Sequence, residues 1–237
     1  MLVLGHRGAS VAEPENTPAA FRAADRMGAD GVELDVRLAA SRDGRNRLVA
    51  FHDPLPREQS MLDALPGFAE VLEACGDRML INVEIKNSVD DGGFDPTMAV
   101  AAPVIDAMRR FDASPDRFVI SSFSAKTVDH CRLIEPSIAT ALLCEALDER
   151  AIRRALQGGH RAIHPSVVEL TAASVAAAHD AGLAVNAWTC NDPQRLVELA
   201  AMGVDGVCTD VPDVARTALG RVAGDAASPR WALRPAH

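Results

Sequence analysis

Eight short apolar runs alternate with amphipathic helical patterns along a 237-residue chain that shows no interdomain linker. That alternation, in a length normal for the fold, predicts an α/β chain built as a (β/α)8 TIM barrel. A further observation places a β-hairpin excursion after strand 2. The turn signal Arg42-Asp43-Gly44 joins two strand-like runs through a connection too short for a parallel crossover. One domain is expected over residues 1–220. A C-terminal tail without periodicity follows over 221–237, with Trp231 available to dock on the surface.

The first strand is Leu2-Val3-Leu4, an apolar run that stops at Gly5. Asn16 or Thr17 is placed to cap the first helix, and Pro18 suits its first turn. Ala20, Phe21, Ala24 and Met27 line one helical face, and Gly28 ends it. The second strand is Gly31-Val32-Glu33-Leu34-Asp35-Val36-Arg37. Its hairpin partner, Leu48-Val49-Ala50-Phe51-His52-Asp53, runs back and should carry His52 towards the level of Glu33. Strand-like runs then follow at 79–86, 118–123, 138–143, 162–164, 183–189 and 206–209. Helical patterns at 66–75, 97–110, 125–134, 149–156, 172–181, 193–202 and 212–219 separate or follow them. Without the hairpin strand, the parallel strands number eight.

Hydrophobic residues make up 48% of the chain, enough for a large core, yet no apolar run approaches the length of a membrane span. No basic segment with a signal-like apolar stretch opens the sequence, so a cytoplasmic location is expected. Five scattered cysteines form no CxxC pair, which argues against a zinc site and for reduced thiols. The net charge of −9 argues against nucleic-acid binding, which calls for a basic face. It leaves room for a small anionic substrate, because a metal and a few cations can reverse a local field.

Glu33 and Asp35 are two residues apart on one strand, so both project from one face. Two crowded carboxylates repel unless a cation lies between them, and hard divalent cations take carboxylate oxygens. The pair therefore forms half a metal site or faces solvent on an edge strand. The active sites of (β/α)8 barrels lie at the C-terminal ends of the strands. Those ends carry His6 and Arg7, Glu33 and Asp35, and Glu84 and Lys86, and the hairpin adds His52. Alone, His52 reads as a loop histidine and Lys86 as a side chain reaching for water. Gathered at one mouth, three acids, two histidines and two cations are hard to account for structurally, since charge on an apolar strand is costly to bury without partners.

His6-Arg7-Gly8, Pro14-Glu15-Asn16-Thr17, Glu33-Leu34-Asp35-Val36, His52-Asp53 and Glu84-Ile85-Lys86 stand in the order found in glycerophosphodiester phosphodiesterases, which this chain resembles over roughly residues 3–215. Ser122-Phe123, Ala187-Trp188-Thr189-Cys190-Asn191 and the stretch from Gly203 to Asp210 fit as well. The resemblance implies hydrolysis of a small-molecule glycerophosphodiester to sn-glycerol 3-phosphate and an alcohol. It implies Glu33, Asp35 and Glu84 as ligands of one divalent cation, Mg2+ or Ca2+. It implies His6 and His52 as general acid and base, Arg7 and Lys86 on the phosphate oxygens, and Trp188 as a wall of the pocket. Asn16 would orient a ligand or cap the helix. The segment between His52 and Glu84 is shorter than the family's usual insertion, which implies a more open mouth that could admit bulkier diesters. Two alternatives stand beside this reading: a phospholipase D-like hydrolase of lysophospholipids, and a phosphodiester-binding protein without turnover. A zinc amidohydrolase would need an HxH pair that the first strand lacks.

Overall fold

β1 (Leu2–His6) is followed by α1 (Pro18–Arg26), β2 (Gly31–Ala40) and the antiparallel β3 (Asn46–Ala50). Two short helices, α2 (Gln59–Asp63) and α3 (Phe68–Ala74), lead to β4 (Leu80–Ile85) and α4 (Ala101–Phe111). The chain then alternates through β5 (Phe118–Ser122), α5 (Ala125–Ile134), β6 (Ala139–Cys144), α6 (Glu149–Gln157), β7 (Ala162–Pro165) and α7 (Ala172–Asp180). It ends with β8 (Ala184–Ala187), α8 (Pro193–Ala201), β9 (Gly206–Thr209) and α9 (Pro212–Ala218). This computed structural model describes residues 1–40, 46–112 and 114–221. The turn Arg42-Asp43-Gly44 and the docking of Trp231 with its tail lie outside the described residues.

β1 pairs in parallel with β2 on one side and β9 on the other, so the sheet closes. The order is β1-β9-β8-β7-β6-β5-β4-β2, with β3 hanging on β2 alone. The expected eight-stranded barrel with one hairpin is the observed architecture. Gly31 is needed where β2 enters it: a Cβ there would stand 2.4 Å from the Leu80 carbonyl oxygen.

Burial explains why the apolar residues fall where they do. The helices pack their apolar faces on the outside of the barrel in two clusters. Phe21, Leu34, Leu72, Ile81 and Ile105 belong to one, and Val3, Ile163, Val175, Leu196 and Val207 to the other. A third group, Leu2, Val119, Ala139, Ala141, Ala162 and Ala184, draws on five strands and fills the lower interior. Above it the interior turns polar, with Asn82, Ser121, His164 and Asn186 all buried. Hydrogen bonds join Ser121 to Asn82 (2.9 Å) and Asn186 to His164 (2.9 Å). Among the described residues, the barrel interior thus has an apolar floor, a neutral polar layer, and charge at its C-terminal mouth.

Two helix starts differ from the sequence expectation, β3 ends at Ala50 and not at Asp53, and α2 is an added element. α4 starts at Ala101 and not at Thr97, because the Asp95 carboxylate takes the amides of Thr97 and Ala99 at 2.8 Å and holds those residues in a turn. α3 starts at Phe68, since the Pro66 carbonyl accepts from the Ala50 amide and Gly67 bridges to Val49. α2 has no apolar period; Gln59 and Asp63 bond across its single turn at 2.8 Å.

Candidate active site

β1 ends at His6, whose register partner on β2 is Glu33. The chain then turns sharply through Arg7 (φ 55°) and Gly8 (φ 87°). A Cβ on Gly8 would lie 2.6 Å from Ala20 atoms, so only glycine lets this turn rest on α1. The turn aims the Arg7 amide at Glu33 Oε2 (3.0 Å) and brings its guanidinium Nε within 3.2 Å of Asp35 Oδ2. Arg7 Nη1 also donates to both carboxylate oxygens of Glu15, at 3.1 and 2.9 Å.

Asn16 does not cap α1. Thr17 does, accepting from the Ala20 amide. Asn16 is buried in a left-handed conformation (φ 57°) and clasps Asp35: Nδ2 donates to Asp35 Oδ2 at 2.8 Å, and Oδ1 accepts from the Asp35 amide at 3.1 Å.

The pairing of β2 with β4 sets Asp35 opposite Glu84 and Glu33 opposite Asn82. Oxygens of Glu33, Asp35 and Glu84 all lie within 4.8 Å of one another, and all three side chains are buried. Glu33 Oε1, Asp35 Oδ1 and Glu84 Oε1 make no hydrogen bond. Lys86 Nζ lies 2.5 Å from Glu84 Oε1 and 3.2 Å from Asp35 Oδ1 and ion-pairs with both. Burial, together with its acidic neighbours, pushes Glu33 well above the usual carboxylate range. The same causes push Glu84 up to about 7. Burial also acts to raise Asp35, but Lys86, Arg7 and the Asn16 hydrogen bond bring it below its ordinary value. Burial would lower Arg7 and Lys86, yet the carboxylates around them hold both above theirs, so both stay charged. Three buried acids, two of them driven up by burial and by their acidic neighbours, and Glu33 Oε1 left without a partner, are a donor set that fits a divalent cation.

His52 follows β3. In the hairpin register Val36 faces Ala50, so the chain returns His52 to the mouth as expected. Arg37 fixes its backbone: Nε and Nη2 donate to the His52 carbonyl at 3.1 and 2.6 Å, and further donors reach the carbonyls of Asp91 and Gly92. The ring is half-buried, with Nδ1 3.0 Å from the exposed Asp53 carboxylate.

His6, Arg7, Glu33, His52, Glu84 and Lys86 meet around a cavity of about 80 Å3, closed opposite by Trp188, Phe123 and His164. Trp188 stands edge-on to Phe123 at 5.5 Å and donates from Nε1 to the His164 carbonyl at 2.8 Å. Asp35 and Asn16 do not line this cavity. Lys86 is shared with a second cavity of about 360 Å3, bounded by Leu38, Pro54, Leu55, Arg57 and the Gly92–Gly93 turn. The segment after His52 supplies Pro54, Leu55 and Arg57 to the wall of this second cavity.

Sequence reasoning gave no role to Arg37, His164 or Asp210. Asp210 accepts from His6 Nδ1 at 2.7 Å. Barrel closure was the available signal, because it necessarily sets the last strand beside the first.

Residues 6–64 and 54–214 match the model of the glycerophosphoryl diester phosphodiesterase family. The chain belongs to that family. A glycerophosphodiester phosphodiesterase of Caldanaerobacter subterraneus subsp. tengcongensis is 29% identical over 240 residues, covering 90% of this chain and 95% of that relative. One of Bacillus altitudinis is 28% identical over 242 residues, covering 89% and 95%. A solved glycerophosphodiester phosphodiesterase from Thermotoga maritima superposes with a TM-score of 0.71 at 27% identity, covering 93% of this chain and 98% of that one. An Oleispira antarctica phosphodiesterase, solved in complex with the product sn-glycerol-3-phosphate, gives a TM-score of 0.82 at 23% identity, covering 93% and 97%; at that identity the likeness speaks for the fold. Family membership makes the chain a phosphodiesterase and so a hydrolase. No helix among the described residues is long and apolar enough to cross a membrane.

Proposed function

We propose that this family member hydrolyses glycerophosphodiesters to sn-glycerol 3-phosphate and an alcohol, using one divalent cation, Mg2+ or Ca2+, held by Glu33, Asp35 and Glu84. The observation that carries this reading is the convergence of three buried carboxylates, with an oxygen of each within 4.8 Å of the others, beside two imidazoles and two cations. The product bound to the Oleispira antarctica structure supports the choice of products.

When bound, the cation would neutralise charge on the phosphoryl oxygens as a Lewis acid. Arg7 and Lys86, both charged and both lining the cavity, bind the remaining phosphate oxygens and stabilise the charge that builds there. One histidine, neutral, takes the proton of the nucleophile; the other, protonated, gives one to the leaving alkoxide. Each transfer contributes about 10²–10⁴-fold. Trp188 walls the substrate against Phe123 and limits water. The barrel of residues 1–220 acts as one catalytic domain in the cytoplasm.

A second reading has its own support. Val11, Val89, Phe94 and Val168 are exposed on the loops that follow β1, β4 and β7, on the mouth face of the barrel. Such a lip suits a lysophospholipid tail. One panel separates the two: glycerophosphocholine and other glycerophosphodiesters against lysophosphatidylcholine, each with Mg2+, Ca2+ or Mn2+ and with chelator. Cation-dependent release of sn-glycerol 3-phosphate is expected. Turnover of lysophosphatidylcholine alone would decide for the lipid reading, and tight binding without hydrolysis would sink both.

A further inference from the structure

The strand that closes the barrel delivers a carboxylate to the back of His6. β9 pairs with β1 so that Thr209 faces Gly5, and the next residue along, Asp210, comes beside His6 although 204 positions separate them in sequence. Asp210 Oδ1 accepts from His6 Nδ1 at 2.7 Å and from Ser10 Oγ at 2.9 Å. Asp210 Oδ2 accepts from Asn191 Nδ2 at 2.6 Å. Asn191 Oδ1 in turn accepts from the Asp210 amide at 2.8 Å and from Thr209 Oγ1 at 3.0 Å. Both oxygens are thus held, by three donors from two other segments, and the plane of the carboxylate is set before any substrate arrives. Burial acts to raise Asp210, but the hydrogen bonds from His6, Asn191 and Ser10 outweigh it and hold the group down to about 2. An ionised carboxylate only accepts. The proton in the His6–Asp210 bond therefore sits on Nδ1, and Nε2 is left as the free nitrogen, 4.0 Å from Glu33 Oε2 on the cavity side. His52 has no comparable support, since its acidic partner Asp53 is its own sequence neighbour and 72% exposed.

We propose that Asp210 is a positioning residue for His6: it fixes the tautomer with the proton on Nδ1 and presents Nε2 as the atom that exchanges a proton with the substrate, while Asn191 and Ser10 hold the carboxylate in place. The physical logic is that of any imidazole whose second nitrogen is tied to a fixed acceptor: the tie selects both ring orientation and tautomer. The proposal rests on the reading above, in which His6 moves a proton during phosphodiester hydrolysis. A group that only braced the loop would leave the tautomer of His6 and the division between kcat and KM unmoved.

The test is nitrogen-15 NMR of the histidine rings in the full chain without added cation, at a pH where imidazole is neutral, with His6 assigned from its loss in His6→Gln. His6 should show the Nδ1–H signature. In Asp210→Asn the amide can donate to the ring, so the Nε2–H form should gain and kcat should fall by about 10²–10⁴-fold with KM changed only a few-fold. Asn191→Ala keeps the carboxylate and should lose far less. An Nε2–H signature in the unaltered protein would overturn the proposal without any variant, even if Asp210→Asn failed to fold. A folded Asp210→Asn that retained the Nδ1–H form and full kcat would overturn it as well. If the tautomer is as stated but His6→Gln hydrolyses normally, Asp210 still sets the ring, and it is the proton-transfer role of His6 that falls.

Discussion

Asn16 shows how one side chain can support three elements. Its left-handed backbone ends the loop after β1, its amide group clasps Asp35 on β2, and the next residue, Thr17, opens α1. Asn16→Ala removes both hydrogen bonds and puts an ill-suited residue at φ 57°, so a loss of about 2 kcal/mol in urea unfolding is expected. Cation affinity by calorimetric titration should fall about 10–100-fold, the usual effect of losing a group that orients a ligand. Asn16→Gly keeps the conformation and loses the bonds. If it bound cation normally, the clasp on Asp35 would be irrelevant. At His52 the expectation is kinetic: His52→Ala should lower kcat by about 10² or more if the ring transfers a proton. A normal kcat in a folded His52→Ala would leave His52 a purely structural place beside Asp53.

The hairpin is the element that departs from a plain barrel, and Arg37 is what makes it useful. The guanidinium spans from the His52 carbonyl to those of Asp91 and Gly92, tying the returning strand to the loop after β4. Arg37→Ala should release that tie. Turnover should drop about tenfold or more through misplacement of His52, with cation binding largely kept, because Arg37 touches none of the three acids. Unchanged kinetics would mean that the backbone of His52 holds its place without this cation. Elements also mark how far sequence reasoning reaches. The strands were legible as short apolar runs, because both their faces are buried, and most helices by the apolar periodicity of one face. Glu33, Asp35, Glu84 and Lys86 were legible because charge on an apolar strand needs a reason. Arg37 was not: it bonds only backbone carbonyls, which any sequence offers. Asp210 ends the stretch that begins at Gly203, but its meaning depends on which strand closes against β1, a fact of topology. The start of α4 was missed because Asp95 holds Thr97 and Ala99 by hydrogen bonds that leave no periodic trace.

Across the whole molecule, the vertical ordering of the barrel interior sets how stability responds to pH and to cations. His164, in the neutral polar layer, is fully buried, and burial pushes it down to about 3. The unfolded chain takes up that proton near the ordinary histidine value, so this group withdraws stability as pH falls from about 6.5 towards 3. Between pH 7 and pH 5 the loss should be about 1–2 kcal/mol, an order-of-magnitude figure. The raised Glu33 and Glu84 act in the opposite sense: each holds a proton that the unfolded chain has released, so stability from them falls as pH rises through the range up to about 7 for Glu84. These opposing contributions separate in a difference between variants. His164→Gln should lose less stability than the unaltered chain when urea unfolding is compared at pH 7 and pH 5. An equal loss would remove His164 from the account.

At pH 8 the cation-free mouth keeps three acids together against their repulsion, so a bound divalent cation should stabilise the fold outright. At a concentration one hundred times its Kd it adds about 2.7 kcal/mol. For a chain of this size that is a rise of about 5–10 °C in Tm. Glu33→Gln relieves repulsion in the cation-free state, so its Tm without cation should equal or exceed that of the unaltered chain. Its response to Mg2+ or Ca2+ should largely vanish. These shifts are read by thermal unfolding and need no turnover, so they test the acid cluster apart from the chemistry. A Glu33→Gln protein that was less stable without cation, yet still gained the full rise with it, would mean that the three carboxylates are held together for some purpose other than an ion.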